Sequence, residues 1–446
     1  MAEILRSVGL DVGTTSTQMI LSELTIENKS STFSVPEMEI SHRKILYKSP
    51  IHFTPLLRGD LVDGEAIRTI IASEYEQAGI CRSEVDTGAI IITGETSRKE
   101  NAATVLQNLS DFAGEFVVAT AGPDLESVLA AKGAGAVEFS AETGANVLHM
   151  DIGGGTSNLA FIENGRITAT ACLNVGGRLL KFDSSGTITY RSPVLHGIFD
   201  GSVGTKPTLS ELERLADNLV AALEMAAGLR EQTQLLAKLW TQELSTPACQ
   251  LVRKDTNCVI SFSGGVADCI EQEHPDFTFG DMGPILGRAI RHSRLCHGQY
   301  RLGTETIRAT VIGAGCHSTQ LSGSTVYHQN VAFPLKNLPV VTEIAALSRL
   351  DKPGVLALPG ISAAHYQQVV DLAEHIVAAW PNQPVLIALQ QDMAKALGHA
   401  LALRFPREKV IMCIDRVFLT EEGYLDISAP VGTALPVVVK TLILQQ

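Results

Sequence analysis

The chain has 446 residues, of which 45% are hydrophobic and 19% are charged, a composition that indicates a globular protein of roughly three domains. The formal net charge of −13, without any basic run, argues against nucleic acid and against an anionic membrane surface as partners. The eight cysteines are scattered without a C-x-x-C pair, so we expect reduced thiols in a cytoplasmic protein.

The sequence predicts no signal peptide, no membrane span and no metal site built from histidine and cysteine. The N-terminal sequence MAEILRSVGLDVG lacks the long apolar region of a signal peptide, and no run approaches the ~18 apolar residues of a membrane span. His292, Cys296 and His297 could share one helix face, but their spacing favours a structural role over a metal site, and we assign them no metal.

The first segment predicts a β-rich start followed by alternating strands and helices. The stretch GLDVGTTSTQMILSEL reads as two strands joined at Gly13, and RKILYK continues the period-two pattern. Helices are expected at 64–79, where apolar residues share one face, and in ETSRKENAATVLQNL. Two strands, AIIITG and EFVVAT, come before and after the latter helix, and a helix of small residues, DLESVLAAKGAGAVEF, completes the segment.

The second segment repeats this pattern. Three strands are expected in NVLHMDIGGGTSNLAFIENGRITATACLNVGG, and Asn164-Gly165 is a strong signal for a hairpin turn. Thr208 and Glu211 form a predicted capping box for a leucine-rich helix. Farther on, CVISFSGGVADCI predicts a strand, a Gly-Gly turn and a helix, and IRATVIGAGCHSTQLSGS is expected to run from strand through Gly-Ala-Gly to helix.

The third segment, from about residue 330, has the character of a βαβαβ layer. Its predicted strands are GVLALPG, PVLIAL and VIMCID, and helices are expected at 361–379 and 391–404. A hairpin is predicted at FLTEEGYLDI, and Pro334 and Pro339 are interpreted as marking the boundary with the preceding segment.

A short motif occurs at the head of each of the first two segments. GLDVGTTSTQMIL aligns with HMDIGGGTSNLAF so that Asp11 matches Asp151, Gly13 matches Gly153 and Ser16 matches Thr156. Three consecutive glycines after a buried strand weaken its packing, so they need another reason. A single such motif is as often an ordinary hairpin, but the repetition favours a shared function.

The chemistry of the repeated turn suits a phosphate and a cation. A glycine-rich turn exposes backbone N–H groups that can hold an anion, and hydroxyls at Thr14, Thr15, Ser16 and Thr156 add donors. Carboxylates would repel phosphate unless a cation lay between them. Asp11 and Asp151 therefore predict Mg²⁺, held partly through water, in a cleft between the two turns.

Five segments in order resemble the signature motifs of the actin/Hsp70/sugar-kinase ATPase superfamily. GLDVGTTST and MDIGGGTSN resemble the two phosphate motifs, and SFSGGVADC resembles the adenosine motif. The two connecting helices are resembled by ESVLAAKGAG and VIGAGCHSTQ. The resemblance implies an α/β fold of duplicated actin-like (ribonuclease H-like) lobes around a nucleotide cleft, with a C-terminal α/β segment. The implied domains are 1–140, 141–328 and 329–446.

The same resemblance implies ATP as ligand and a set of site residues. The implied catalytic residues are Asp11, Asp151 and Glu126. The alternative interpretation of Glu126 is a solvent-exposed carboxylate in the first turn of a helix, where the helix dipole favours a negative charge. Gly133, Gly135, Gly313 and Gly315 would let the connecting helices cross closely. The implied cofactor-binding residues are Gly13, Thr14, Thr15, Ser16, Thr93, Gly153, Gly154, Gly155, Thr156, Gly264, Gly265 and Gly313. Glu95 is a further candidate, and a helix N-cap at Thr96 is the alternative reading of that turn.

Over its whole length the chain most resembles the reactivating factors of adenosylcobalamin-dependent ethanolamine ammonia-lyase. The resemblance rests on SVGLDVGTTSTQMILSEL, ITGETSRKENA and HMDIGGGTSNLAFIENG. It implies an ATPase that acts as a chaperone-like factor, releasing damaged cobalamin from the lyase so that intact cofactor can enter. It further implies a cytoplasmic protein associated with a bacterial microcompartment, and it leaves a homo-oligomer open. Two alternatives from the motifs are a small-molecule kinase of the same superfamily and an actin-like filament protein.

Overall fold

The fold is described from a computed structural model. It describes residues 3–13, 16–28, 38–57, 61–93, 101, 105, 109, 117–120, 123–241, 258–317, 319–321, 326–350, 352–380, 383–417, 419, 423–430 and 435–441. Thr14, Thr15, Glu95 and Thr96 lie outside the described residues, as does most of the helix predicted in ETSRKENAATVLQNL.

The first sheet combines an antiparallel meander with two parallel strands. Its strands run in the order β3-β2-β1-β7-β8, with β4 added to β2. The pairs β1–β2 and β2–β3 are antiparallel, whereas β1–β7 and β7–β8 are parallel. The strands of this part of the chain, with the small β5–β6 pair, are β1 Glu3–Val12, β2 Ser16–Asn28, β3 Met38–Lys48, β4 His52–Phe53, β5 Leu56–Leu57, β6 Leu61–Val62, β7 Thr87–Ile92 and β8 Val117–Thr120.

The second sheet has the same topology as the first. The order is β11-β10-β9-β14-β15, with antiparallel β9–β10 and β10–β11 and parallel β9–β14 and β14–β15. Asn164 and Gly165 both have positive φ, 49° and 73°, as the predicted hairpin requires. The strands here, with the separate β12–β13 pair, are β9 Asn146–Ile152, β10 Ser157–Glu163, β11 Arg166–Leu173, β12 Leu180–Phe182, β13 Ile188–Arg191, β14 Cys258–Ser263 and β15 Tyr300–Leu302.

Two helices cross between these sheets, and each packs on the sheet that it does not follow. The first connecting helix, Pro123–Gly133, follows β8 and packs against β9, β10 and β11. The second connecting helix, Ala309–His317, follows β15 and packs against β1, β2 and β7. Glycine permits the crossing, because a Cβ on Gly133 would lie 1.9 Å from the carbonyl oxygen of Ala309 and one on Gly313 would lie 2.1 Å from that of Leu129. The sequence prediction of close helix crossing is confirmed for Gly133 and Gly313. It is wrong for Gly135, where a Cβ would face Thr304, and for Gly315, where a Cβ would face Gly9 of β1.

The remaining helices include the one for which the sequence predicted a capping box. The predicted capping box is present at Leu209–Ala226, where Thr208 and Glu211 exchange side-chain-to-backbone hydrogen bonds and one face carries buried leucines. The other helices of the described residues are Gly64–Ala78, Ala136–Thr143, Gln234–Leu239, Asp268–Glu271, Gly283–Arg291, Ile344–Leu347, Tyr366–Ala379 and Ala394–Ala402.

The third sheet is mixed and has eight strands. Its order is β16-β23-β22-β18-β19-β20-β21-β17, with a parallel centre from β18 to β21. Apolar residues fill both faces, and the helices Tyr366–Ala379 and Ala394–Ala402 pack on one of them. The strands are β16 Thr319–Leu321, β17 Tyr327–Gln329, β18 Leu335–Val341, β19 Val355–Leu358, β20 Val385–Leu389, β21 Ile411–Ile414, β22 Gly423–Ile427 and β23 Pro436–Thr441.

Four details of the sequence prediction are wrong. The run that leads to Gly313 is not a strand, because the residues from Ala309 form one helix that is buried on nearly all sides. Such a run has no periodicity that separates helix from strand. The helix predicted at 124–139 is two helices, interrupted where Gly135 adopts φ +71°. Strand β22 pairs with β18 and β23, so it does not form the hairpin predicted within 418–427, although residues 418 and 420–422 lie outside the described residues. Pro339 lies inside β18, opposite Tyr424, and does not mark a boundary.

The division into three domains stays a prediction, and the third sheet already includes Thr319–Leu321. No helix in the described part of the chain has both the length and the apolar character needed to cross a lipid bilayer.

Candidate functional site

The two Asp-containing turns share a backbone hydrogen bond at equivalent positions. In the first turn the N–H of Gly13 donates to the carbonyl of Ser16, and in the second the N–H of Gly153 donates to the carbonyl of Thr156, both at 2.9 Å. Each turn joins an antiparallel pair at the centre of its sheet, β1–β2 or β9–β10. The repeat seen in the sequence is therefore a structural repeat.

The side chain of each aspartate is held by a hydroxyl from the equivalent neighbouring strand. Thr93, directly after β7, donates to Oδ1 of Asp11 at 2.8 Å. Ser263, the last residue of β14, donates to Oδ1 of Asp151. Because β7 and β14 are the parallel neighbours of β1 and β9, the two halves hold their carboxyl groups in the same way.

Burial makes ionisation of both carboxyl groups unfavourable in the absence of a cation. Asp11 is 9% exposed and Asp151 is 6% exposed. Burial raises the pKa of Asp11 to about 7, the hydroxyl of Thr93 lowers it, and the nearby charge of Asp151 raises it further. Burial raises the pKa of Asp151 to about 6 against the opposing hydrogen bond from Ser263. Two buried carboxyl groups that repel each other are a donor set for a hard divalent cation such as Mg²⁺.

A buried histidine fixes the second aspartate indirectly. His149 is fully buried between the hydroxyls of Ser261 and Ser263, at 3.1 Å and 2.9 Å from its two ring nitrogens. Burial lowers the pKa of His149 to about 3, so the ring is neutral near pH 7. A neutral ring accepts one hydrogen bond and donates another, which orients Ser263 toward Asp151.

The described candidate residues, with one exception, line one cavity of about 290 Å³ between the two sheets. Gly313 is the exception, because it lies in the crossing of the connecting helices. Glu126 lines the cavity from the first turn of the first connecting helix. The other predicted residues that line it are Asp11, Gly13, Ser16, Thr93, Asp151, Gly153, Gly154, Gly155, Thr156, Gly264 and Gly265.

The Gly-Gly turn after β14 faces the cavity, and at its first glycine, Gly264, there is no room for a side chain. Gly264 has φ +86°, and a Cβ there would lie 2.4 Å from the carbonyl oxygen of Ile152. Gly265 is different, because its nearest neighbour would be a side-chain methyl of Ile307 at 3.7 Å. The turn therefore brings bare backbone to the cavity wall, which permits close approach of a flat or anionic ligand.

Sequence reasoning missed two buried amides beside the aspartates. Gln18 lies directly opposite Asp11 in the β1–β2 pair, and Asn158 lies opposite Asp151 in the β9–β10 pair. Gln18 lines the cavity and donates from Nε2 to the carbonyl of Ile307 at 3.4 Å. Within the described residues, Oε1 of Gln18 and Oδ1 of Asn158 are buried without a hydrogen-bond partner. The equal spacing of seven residues from each aspartate was a signal that could have identified them.

Sequence reasoning also missed Arg178 and Asp281, which line the cavity as an ion pair. The Gly-Gly pair before Arg178 was a usable signal, because a Cβ on Gly176 would lie 2.3 Å from the carbonyl oxygen of Gly154. Asp281 carried no comparable signal.

A duplicated β-sheet with crossed connecting helices and paired Asp-Gly turns defines the actin-like ATPase fold. A family model described as ethanolamine utilisation protein EutA matches residues 3–445. The chain belongs to the EutA family.

Curated relatives cover nearly the full length. The chain is 39% identical over 98% of both sequences to a protein of Salmonella typhimurium named ethanolamine ammonia-lyase reactivase EutA. It is 38% identical, with the same coverage, to the protein of that name from Escherichia coli. Among solved structures, an Aquifex aeolicus member of the Ppx/GppA family is similar at 16% identity and a TM-score of 0.37, covering 60% of this chain and 68% of that one.

Proposed function

We propose that this chain is an ATP-dependent reactivating factor for adenosylcobalamin-dependent ethanolamine ammonia-lyase. It promotes release of damaged cobalamin so that intact adenosylcobalamin can bind. Family membership over nearly the whole chain supports the client, and relatives that bear the reactivase name are 38–39% identical. The observation that carries ATP dependence is the cavity into which the two repeated Asp-Gly turns converge.

In this proposal the repeated turns hold the phosphates and the aspartates hold the metal. Backbone N–H groups at 154–156, with the hydroxyls of Ser16 and Thr156, bind phosphate oxygens. Asp11 and Asp151 would hold Mg²⁺, partly through water, and the bound ion would supply positive charge to offset that of the phosphates. The bare backbone at Gly264 and Gly265 accepts the nucleoside.

The remaining polar groups orient the reactants. Thr93 and Ser263 hold the two carboxylates in place by hydrogen bonds. Glu126, on the cavity wall, accepts a proton from the attacking water.

Nucleotide binding between two sheets that are joined by crossing helices provides the mechanical step. A ligand that contacts both lobes favours the closed arrangement by its difference in affinity for the two states, and no more. In this scheme residues 1–140 and 141–328 are the lobes, and lobe movement acts on the bound lyase.

The test is recovery of an inactivated lyase. Ethanolamine ammonia-lyase is inactivated by turnover or loaded with cyanocobalamin, and this protein is added with ATP, Mg²⁺ and fresh adenosylcobalamin. Activity should return only when all components are present. Asp151→Ala should fail, whereas Asp200→Ala, which changes an exposed aspartate, should match the parent.

Three outcomes contradict the proposal. Recovery without ATP indicates passive exchange of cofactor. Absence of recovery, together with phosphorylation of a small acceptor, indicates a kinase. Absence of recovery with ATP-dependent sedimentation indicates a filament protein.

A further inference from the structure

The cavity between the two turns has an unusual balance of charge for a site that would take a polyphosphate. Its lining includes five carboxyl groups and a single Lys or Arg side chain within the described residues. Carboxylates near a phosphate chain repel it, and one divalent cation offsets only part of that charge. The charged lining residues are Asp11, Glu126, Asp151, Asp268, Asp281 and, as the cation, Arg178.

The backbone of Arg178 is fixed to the second glycine turn. Its N–H donates to the carbonyl of Gly154 at 2.6 Å, and the N–H of Gly177 donates to the carbonyl of Gly153 at 3.0 Å. The aliphatic part of the side chain lies over the same turn, because a Cβ on Gly154 would be 3.3 Å from Cδ of Arg178. The guanidinium group is therefore carried by the turn whose N–H groups would bind phosphate.

The side chain is oriented through one nitrogen. Nε of Arg178 donates to Oδ2 of Asp281 at 3.0 Å, and Oδ1 of Asp281 accepts from the N–H of Gly283 at 2.8 Å. Asp281 is thus held by backbone and in turn holds Nε. The hydrogen bonds described for this guanidinium use only Nε, which leaves its two terminal nitrogens as donors for a ligand. Paired terminal N–H groups match the geometry of two phosphate oxygens.

We propose that Arg178 binds the phosphate chain of a nucleotide in this cavity and sets the preference of the site for ligands with more phosphate groups. The inference deepens the proposed function and rests on it. Adenosine makes no use of the guanidinium, AMP makes partial use of it, and ADP and ATP use it fully.

The test is a series of binding measurements by titration calorimetry with adenosine, AMP, ADP and ATP, each with Mg²⁺. The proteins are the parent, Arg178→Met, Arg178→Lys and the control Arg166→Met, which removes an exposed arginine from β11. Arg178→Met should lower affinity for ATP by about 10- to 100-fold, the range of one charge-assisted bidentate contact, and leave affinity for adenosine unchanged. Arg178→Lys should retain part of the ATP affinity, because it keeps the charge but not the paired donors. The control should match the parent.

The outcomes separate this inference from the proposed function. If the parent binds no nucleotide, the proposed function fails. If the parent binds ATP and Arg178→Met retains that affinity within about twofold, the inference about Arg178 is overturned while the function stands. Equal losses for adenosine and ATP would assign Arg178 a structural role and also overturn it. Melting temperatures without ligand verify folding, and Arg178→Lys supplies the measurement if Arg178→Met does not fold.

Discussion

Substitution of Gly313 by alanine tests the close crossing of the two connecting helices. The added Cβ would lie 2.1 Å from the carbonyl oxygen of Leu129, whereas ordinary contact begins near 3.4 Å. Because the obstacle is helix backbone and not a flexible side chain, the two helices must separate by more than about 1 Å. The crossing is equally close on the other helix, where a Cβ added to Gly133 would lie 1.9 Å from the carbonyl oxygen of Ala309.

The expected cost of Gly313→Ala is about 3 kcal/mol, at the upper end of the range for overpacking. For a cooperative unit of 150–250 residues, this lowers the melting temperature by roughly 6–12 °C. The assay is thermal unfolding followed by circular dichroism. The matched control is Gly298→Ala, where an added Cβ meets no atom within 4 Å. If Gly313→Ala melts with the control, the helix crossing is not as tight as described.

Three further perturbations test the site and its support. Asp11→Asn and Asp151→Asn each remove a buried carboxyl group whose pKa is raised by burial, so the melting temperature should stay unchanged or rise. Phosphate release from ATP should be lost, and turnover at the rate of the parent would refute the metal site. Gln18→Met removes a buried oxygen without a described hydrogen-bond partner, so the free energy of unfolding should stay within about 1 kcal/mol of the parent. ATP turnover should fall, because Gln18 lines the cavity directly opposite Asp11. A loss of stability near about 3 kcal/mol would instead indicate a structural residue. Thr208→Ala removes one half of the capping box and should lower the free energy of unfolding in urea by about 1 kcal/mol, with ATP turnover unchanged. An unchanged urea midpoint would show that the cap does not contribute to stability.

The sequence predicted those parts of the site that are local in the chain. The turns at Asp11 and Asp151 are defined by glycines within a few residues, and the hairpin at Asn164 and Gly165 is a two-residue signal. Their neighbours in sequence are also their neighbours in space. Such features are read from composition and spacing alone.

The missed parts depend on contacts between distant segments. Arg178 and Asp281 are 103 residues apart, so their pairing exists only after the cavity has formed. Gln18 was hidden for another reason, because a polar residue in an apolar strand shows no partner until the register opposite Asp11 is known. The helix that contains Gly313 was misassigned because its apolar run is buried on nearly all sides and has no amphipathic period.

The proposed site is tested most directly by a crystal structure of the protein with Mn²⁺ and a non-hydrolysable ATP analogue. We expect an anomalous peak between the carboxyl groups of Asp11 and Asp151, phosphates against residues 153–156 and the nucleoside against Gly264 and Gly265. A nucleotide bound elsewhere, such as in the 720 Å³ surface cavity between the helices Leu209–Ala226 and Gly283–Arg291, would contradict the proposed site.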